Sequence, residues 1–142
     1  MTDLAPPAAD APPIALVVDD EPTLRLVLRR ALARDGWGVE EAADGLAALD
    51  RLRDAGERYG VVFLDLALPG LSGRQLYERL RDEQPALLER LVIVSGASEA
   101  WVVETGSAQL PKPFDLADVR AVARTVAALT GYAAPPEPRR GG

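Results

Sequence analysis

The stretch Val61-Val62-Phe63-Leu64-Asp65-Leu66-Ala67-Leu68-Pro69-Gly70 decides how this chain reads. Four apolar residues, rich in β-formers, run directly into a carboxylate, and a Pro-Gly pair stops the chain shortly after. The run does not alternate polar with apolar, so it predicts a strand buried on both faces. Asp65 then stands where that strand leaves the sheet. In open α/β sheets this is the edge at which ligands and chemistry collect. Its neighbours decide whether Asp65 is a reactive carboxylate or only a strand-end cap.

Working outward, two similar runs flank this one. Ile14-Ala15-Leu16-Val17-Val18 ends in Asp19-Asp20-Glu21, and Leu91-Val92-Ile93-Val94 ends in Ser95-Gly96-Ala97. Helical spacing fills the intervals. Pro22 suits a first helical turn, and Leu24, Val27, Leu28, Ala31 and Leu32 follow as one face, with Gly36 as the stop. The arginines of this helix read as a solvated face or as a partner contact. A short strand over 37–41 comes next. Asp44 is the expected N-cap of a helix carrying Leu46, Leu49 and Leu52. A third helix follows Pro69-Gly70-Leu71-Ser72-Gly73, with Leu76 and Leu80 inward, and Pro85 breaks it. Tyr59 and Tyr77 read as packing residues.

Residues 98–105 leave room for one or two helical turns. Trp101, within them, packs inward or meets a partner. Residues 107–110 read as a fifth strand, and Pro111-Lys112-Pro113 as a stiff extended crossing. A last helix starts at Asp115 and shows Leu116, Val119, Val122, Val126 and Leu129 at helical spacing, ending near Gly131. Strand–helix alternation through short connections predicts an α/β fold, a doubly wound (βα)5 five-stranded parallel sheet. Residues 1–13 and 132–142, rich in Pro, are expected to be a disordered leader and tail around one domain over 14–131.

Composition narrows the chemistry. The chain has 142 residues, net charge −6, no Cys and no His. Disulfides, thiolate metal sites and Ser-His triads are excluded. The acidic balance argues against nucleic acid as a direct partner. No run is long enough to span a bilayer and no signal peptide is visible, so a cytoplasmic protein is expected. What remains is carboxylate, hydroxyl, amine and backbone. In a parallel sheet the strand ends share one edge, so Asp19, Asp20 and Asp65 converge if their strands are neighbours. Three anions there are costly unless a hard divalent cation joins them, and Mg2+ suits such oxygen donors. Ser95 and Lys112 end two further strands with a hydroxyl and an ammonium. A carboxylate nucleophile beside Mg2+, with those two donors, is a site for phosphoryl transfer.

These residues resemble a family. Val17-Val18-Asp19-Asp20-Glu21-Pro22, Asp65-Leu66-Ala67-Leu68-Pro69-Gly70 with Ser72-Gly73, Ser95-Gly96-Ala97 and Lys112-Pro113-Phe114 together resemble the receiver domain of two-component response regulators, over roughly residues 14–130. The resemblance implies the flavodoxin-like strand order 2-1-3-4-5. It implies Asp65 as phosphoacceptor from the phosphohistidine of a histidine kinase or histidine phosphotransfer protein. It implies Mg2+ on Asp20, Asp65 and the backbone carbonyl of Ala67, with Asp19 acting through water. Ser95 would hydrogen-bond the phosphoryl group, Lys112 would pair with it, and the Lys112–Pro113 bond would be cis. Such a receiver catalyses only its own phosphorylation and dephosphorylation.

Three departures from the family bear on output. Gln109 stands three residues before Lys112, where the family usually has an aromatic. A Gln cannot fill that apolar slot without burying an amide. Only sixteen residues separate Ser95 from Lys112, fewer than usual, so a shortened fourth helix is expected. Ala67 and Ala97 stand where side chains usually tune hydrolysis, so slow self-dephosphorylation is expected. With no output domain after residue 131, signalling is expected through a downstream protein target or onward phosphorelay. Two alternatives stand beside this reading: a pseudo-receiver interaction module not phosphorylated in the cell, and a receiver excised from a hybrid histidine kinase. A small Mg2+-dependent phosphatase would need a second acid where Ala67 stands.

Overall fold

The computed structural model describes residues 13–96 and 106–131. They form one sheet of five parallel strands in the order β2-β1-β3-β4-β5. The strands are β1 (Ile14–Val18), β2 (Gly38–Ala42), β3 (Tyr59–Asp65), β4 (Leu91–Ser95) and β5 (Ala108–Pro111). The helices are α1 (Pro22–Arg34), α2 (Gly45–Ala55), α3 (Gly73–Glu83) and the C-terminal α4 (Leu116–Thr130). The expected order and the (βα) alternation are both found. The expected short helix over 98–105, Trp101 and Ala97 lie outside the described residues, as do 1–12 and 132–142. Pro13 is buried, and its carbonyl accepts the Gly38 N–H at 2.8 Å.

Strand periodicity builds two cores. Leu16, Val18, Val62, Leu64 and Ile93 point to the layer of α2 and α3. Ala15, Val17, Val61, Phe63, Val92 and Val94 point to the layer of α1 and α4. Alternate residues of one strand therefore serve opposite faces, which is why the central runs are apolar throughout. All seven residues of β3 are buried. Burying each large aliphatic side chain contributes about 1.5–3 kcal/mol, so β3 and its neighbours anchor the sheet. Tyr59 and Tyr77 are buried packing residues, as expected.

The helix starts follow their caps. Asp44 accepts the Ala47 N–H at 2.8 Å. Ser72 with Gln75, and Asp115 with Asp118, form capping boxes. Each satisfies amide donors that the helix cannot pair internally. Four expected inward residues are exposed instead: Val27, Leu46, Leu116 and Leu129. The reason is geometric. A helix laid on a sheet buries a stripe narrower than its apolar pattern, and Leu46, Leu116 and Leu129 sit in terminal turns.

Two buried charges, Asp35 and Arg90, have no counterpart in the sequence reading. Asp35, at the end of α1, is buried and meets Arg124 of α4 through contacts at 2.9 and 3.1 Å. Arg120 approaches it at 3.5 Å. This ionic cluster ties α1 to α4 at their packed faces.

Candidate functional site

The site lies at the carboxyl ends of β1, β3, β4 and β5. Just past β1, the Asp19 N–H donates to the Ala42 carbonyl of neighbouring β2 at 3.1 Å. One carboxylate oxygen of Asp19 accepts the Glu21 N–H at 2.8 Å. Its other oxygen, Oδ2, is buried with no hydrogen-bond partner among the described residues. Asp20 follows and is exposed. Asp65, the last residue of β3, is 5% exposed. Its Oδ1 accepts the Ala67 N–H at 3.0 Å, and its Oδ2 lies 3.5 Å from Lys112 Nζ. Asp19, Asp20 and Asp65 each offer an oxygen within 4.8 Å of the others.

The remaining two strand ends close the site. The Lys112 N–H donates to the Ser95 carbonyl at 2.9 Å, which seats the lysine beside β4. Ser95 is half-buried and pairs in register with Pro111. Ser95, Gly96, Gln109 and Lys112 line a cleft of about 250 Å³. The Lys112–Pro113 peptide bond is cis. Every anticipated site residue therefore gathers at one edge: three acids, the Ala67 backbone, the hydroxyl and the ammonium.

Electrostatics follow from this crowding. Asp19 is raised to about 6, first because burial disfavours its charge, then because the Asp65 carboxylate stands near. The Glu21 N–H and the Lys112 ammonium oppose that shift. One ammonium against three carboxylates leaves negative charge uncompensated. A buried carboxylate oxygen without a donor, facing two other carboxylates, fits a hard divalent cation with oxygen ligands. Asp19, Asp20 and Asp65 are the side chains placed to hold one.

Two loops carry these groups, and two glycines let them sit where they do. A Cβ on Gly73 would lie 2.3 Å from the Asp65 carbonyl oxygen, and one on Gly45 would lie 2.1 Å from the Leu71 carbonyl oxygen. The first allows α3 to start against the end of β3. The second allows the β3–α3 loop to rest on the start of α2.

Sequence reasoning misses Gly45 as well as Arg25 and Glu41. Arg25 reads with the other α1 arginines as a solvated face or kinase contact, yet its side chain is only 17% exposed. It donates through Nε to Glu41 Oε1 at 3.1 Å and through Nη1 to the Asp19 carbonyl at 2.7 Å. A signal exists. Glu40 and Glu41 are adjacent in a five-residue strand, so they face opposite layers, and each needs a cation there. Glu40 meets Arg51 and Arg58, while Glu41 meets Arg25 and Arg29. Gln109 is exposed on the edge strand, so its amide is not buried, in keeping with a Gln that does not fill an apolar slot.

Comparison with known proteins agrees with this geometry. The family profile described as the response regulator receiver domain matches residues 15–124. A probable transcriptional regulatory protein, TcrX, of Mycobacterium tuberculosis is 36% identical over 127 residues, covering 87% of this chain and 53% of its own. The response regulator MprA of a Mycobacterium species is 38% identical over 116 residues, covering 78% and 49%. The chain thus spans about half the length of these relatives. Among solved structures, the receiver domain of Francisella response regulator 1452 superposes with TM-score 0.74 at 24% identity, covering 83% of this chain and 98% of its own. Vibrio cholerae chemotaxis protein CheY4 gives 0.72 at 24% identity, covering 82% and 99%. At that identity these two likenesses speak to the fold.

Proposed function

The chain belongs to the response regulator receiver domain family, and from that premise we propose that it is a phosphorylation-dependent signalling receiver whose acceptor is Asp65. The observation that carries the proposal is the placement of the Asp65 carboxylate. It is buried, held at Oδ1 by the Ala67 N–H, presents Oδ2 to Lys112, and shares its corner with Asp19 and Asp20.

The donor is the phosphohistidine of a histidine kinase or a histidine phosphotransfer protein. A carboxylate oxygen of Asp65 attacks phosphorus, the nitrogen–phosphorus bond breaks, and the electron pair leaves with the imidazole. Asp65 becomes an acyl phosphate. Lys112 offsets the charge gathered on the phosphoryl oxygens, and Ser95, at the mouth of the cleft, donates to one of them. Mg2+, held by Asp20, Asp65 and the Ala67 carbonyl with Asp19 acting through water, would neutralise the charge that the transferring group brings to an already anionic corner. The protein's own groups fix the line of attack. Transfer of this kind needs positioning and charge neutralisation more than acid–base catalysis, which suits a chain without His.

The catalysis ends with the protein's own modification, so the chain is a signalling protein and not a turnover enzyme. Its net charge of −6 supports output through a downstream protein or onward phosphotransfer in preference to direct nucleic-acid contact. Its place of action is the cytoplasm, beside its kinase. No helix among the described residues is long and apolar enough to cross a membrane. The methyl side chain of Ala67 has no polar group to orient an attacking water, so the phosphorylated form should be long-lived.

The test is direct. The protein is incubated with Mg2+ and a small acyl phosphate, and wild type is compared with Asp65→Asn by intact mass. One added phosphoryl group on wild type and none on Asp65→Asn is expected. An unmodified wild type would favour the interaction-module reading.

A further inference from the structure

The β2–α2 segment supplies none of the acids, yet it touches both loops that do. From β2, Ala42 accepts the Asp19 N–H and Glu41 holds Arg25, whose other arm grips the Asp19 carbonyl. From the start of α2, Gly45 receives the Leu71 carbonyl of the β3–α3 loop. Asp19 is therefore fixed at its N–H, at its C=O and, through Glu21, at its carboxylate.

Arg25 is the unexpected member. It places a positive charge beside a corner suited to a cation, and Coulomb's law makes that charge alone unfavourable to cation binding. A lysine would bring the same charge without the fork that reaches two acceptors at once. The fork is the distinguishing feature. Its Nε and Nη1 join a side chain of β2 to the backbone between β1 and α1. Arg29 also reaches Glu41 but is half exposed, and so holds Glu41 from the solvent side.

We propose that Arg25 and Glu41 are positioning residues for the cation site: the pair holds the Asp19 backbone so that Asp19 and Asp20 converge on Asp65. This rests on the Mg2+ reading above. The pair is not among the groups that would hold the cation or the phosphoryl group. It acts by orienting the groups that do, as hydrogen-bonded partners of metal ligands commonly do.

Electrostatics and positioning give opposite signs for one substitution, and that makes the proposal testable. Arg25→Met removes a positive charge, so electrostatics alone requires tighter Mg2+ binding. Positioning requires weaker binding. Mg2+ affinity of the full chain is measured by titration calorimetry for wild type, Arg25→Met, Arg25→Lys, Glu41→Gln and Arg30→Met. The last removes a charge from an exposed arginine of the same helix. We expect Arg25→Met, Arg25→Lys and Glu41→Gln to weaken Mg2+ by about tenfold, with Arg30→Met unchanged or slightly tighter. In the metal-free protein, hydrogen exchange of the Asp19 amide should accelerate in the Arg25 and Glu41 variants while exchange in β3 stays slow. Arg25→Met that binds Mg2+ as tightly as wild type, or more tightly, overturns the proposal. Should Arg25→Met fail to fold, the same affinity criterion is applied to Arg25→Lys, which keeps the charge and the stem. A wild type that binds no Mg2+ refutes the cation reading itself, a result distinct from equal affinities across the series.

Discussion

The two halves of the strand-end edge are built differently. On the side of β1 and β3, the backbone around the acids is held or walled in. Asp19 is bonded at its N–H and C=O, Asp65 accepts the Ala67 amide, and α2 and α3 start so close to the loops that only hydrogen fits at Gly45 and Gly73. On the side of β4 and β5 no such wall stands among the described residues. Gly96 is exposed, with no described atom within 4 Å of where a Cβ would stand, and Gln109 is exposed on the edge strand. The difference teaches where tolerance ends. The acids are placed by close packing, whereas among the described residues the edge beside Ser95 shows the pairing of β4 with β5 and no comparable close approach.

The largest effect should come from filling the tight side. Gly73→Ala forces a Cβ against backbone atoms of Asp65 and Leu66, and backbone cannot yield by changing rotamer. Overpacking of this kind should cost about 3 kcal/mol, more than the roughly 1 kcal/mol that Ala gains over Gly as a helix former. Urea denaturation should show the loss, and acyl phosphate labelling of Asp65 should slow with it. Gly45→Ala should behave alike. Gly96→Ala, on the open side, should stay within about 0.5 kcal/mol of wild type. Equal effects of Gly73→Ala and Gly96→Ala would erase the contrast.

A smaller effect concerns the buried acid. Asp19 is raised from its ordinary value to about 6, so the folded state holds that proton more tightly than the unfolded chain. Its contribution to stability is greatest below about pH 4, falls as pH rises towards 6, and is a full penalty above. Asp19→Asn removes the penalty. In metal-free buffer at pH 7 the variant should be more stable than wild type by about 1–2 kcal/mol, allowing for the neighbouring charges. The gap between the two should close as pH falls to about 4. Thermal melts across that range check the sign, and a gap that widens on acidification would refute it. Added Mg2+ should stabilise wild type and leave Asp19→Asn with the smaller gain.

The smallest effect belongs to the β4–β5 edge. Gln109→Ala should change stability by no more than about 0.5 kcal/mol, and labelling of Asp65 should proceed at the wild-type rate. A slowed label would mean that the exposed edge is coupled to the acids more tightly than its packing indicates.

Much of the site is legible in the sequence because it rests on short-range rules. Apolar runs ending in Asp19-Asp20, Asp65, Ser95 and Lys112 mark strand ends, and parallel strands bring their ends to one edge. Asp44, Ser72 and Asp115 announce helix starts by their own side-chain chemistry. The inward faces of helices are less legible at their ends. Leu46 and Leu129 match the periodicity but extend past the surface that could cover them. Arg25 is less legible because a charged helix residue looks the same whether it faces water or a carbonyl, and only the adjacent pair Glu40-Glu41 signals that a cation is needed.

What the residues alone determined is the kind of chemistry available and the edge at which it gathers. The absence of His and Cys, the three acids and the strand-ending positions are local facts that no packing can alter. What only the tertiary structure decided is how those acids are held. Gly45 against Leu71, Arg25 against Asp19 and Glu41, and Asp35 between Arg120 and Arg124 each join segments distant in the chain. Such contacts depend on which strands become neighbours and how closely helices settle on them, and that distance is set by the whole core at once.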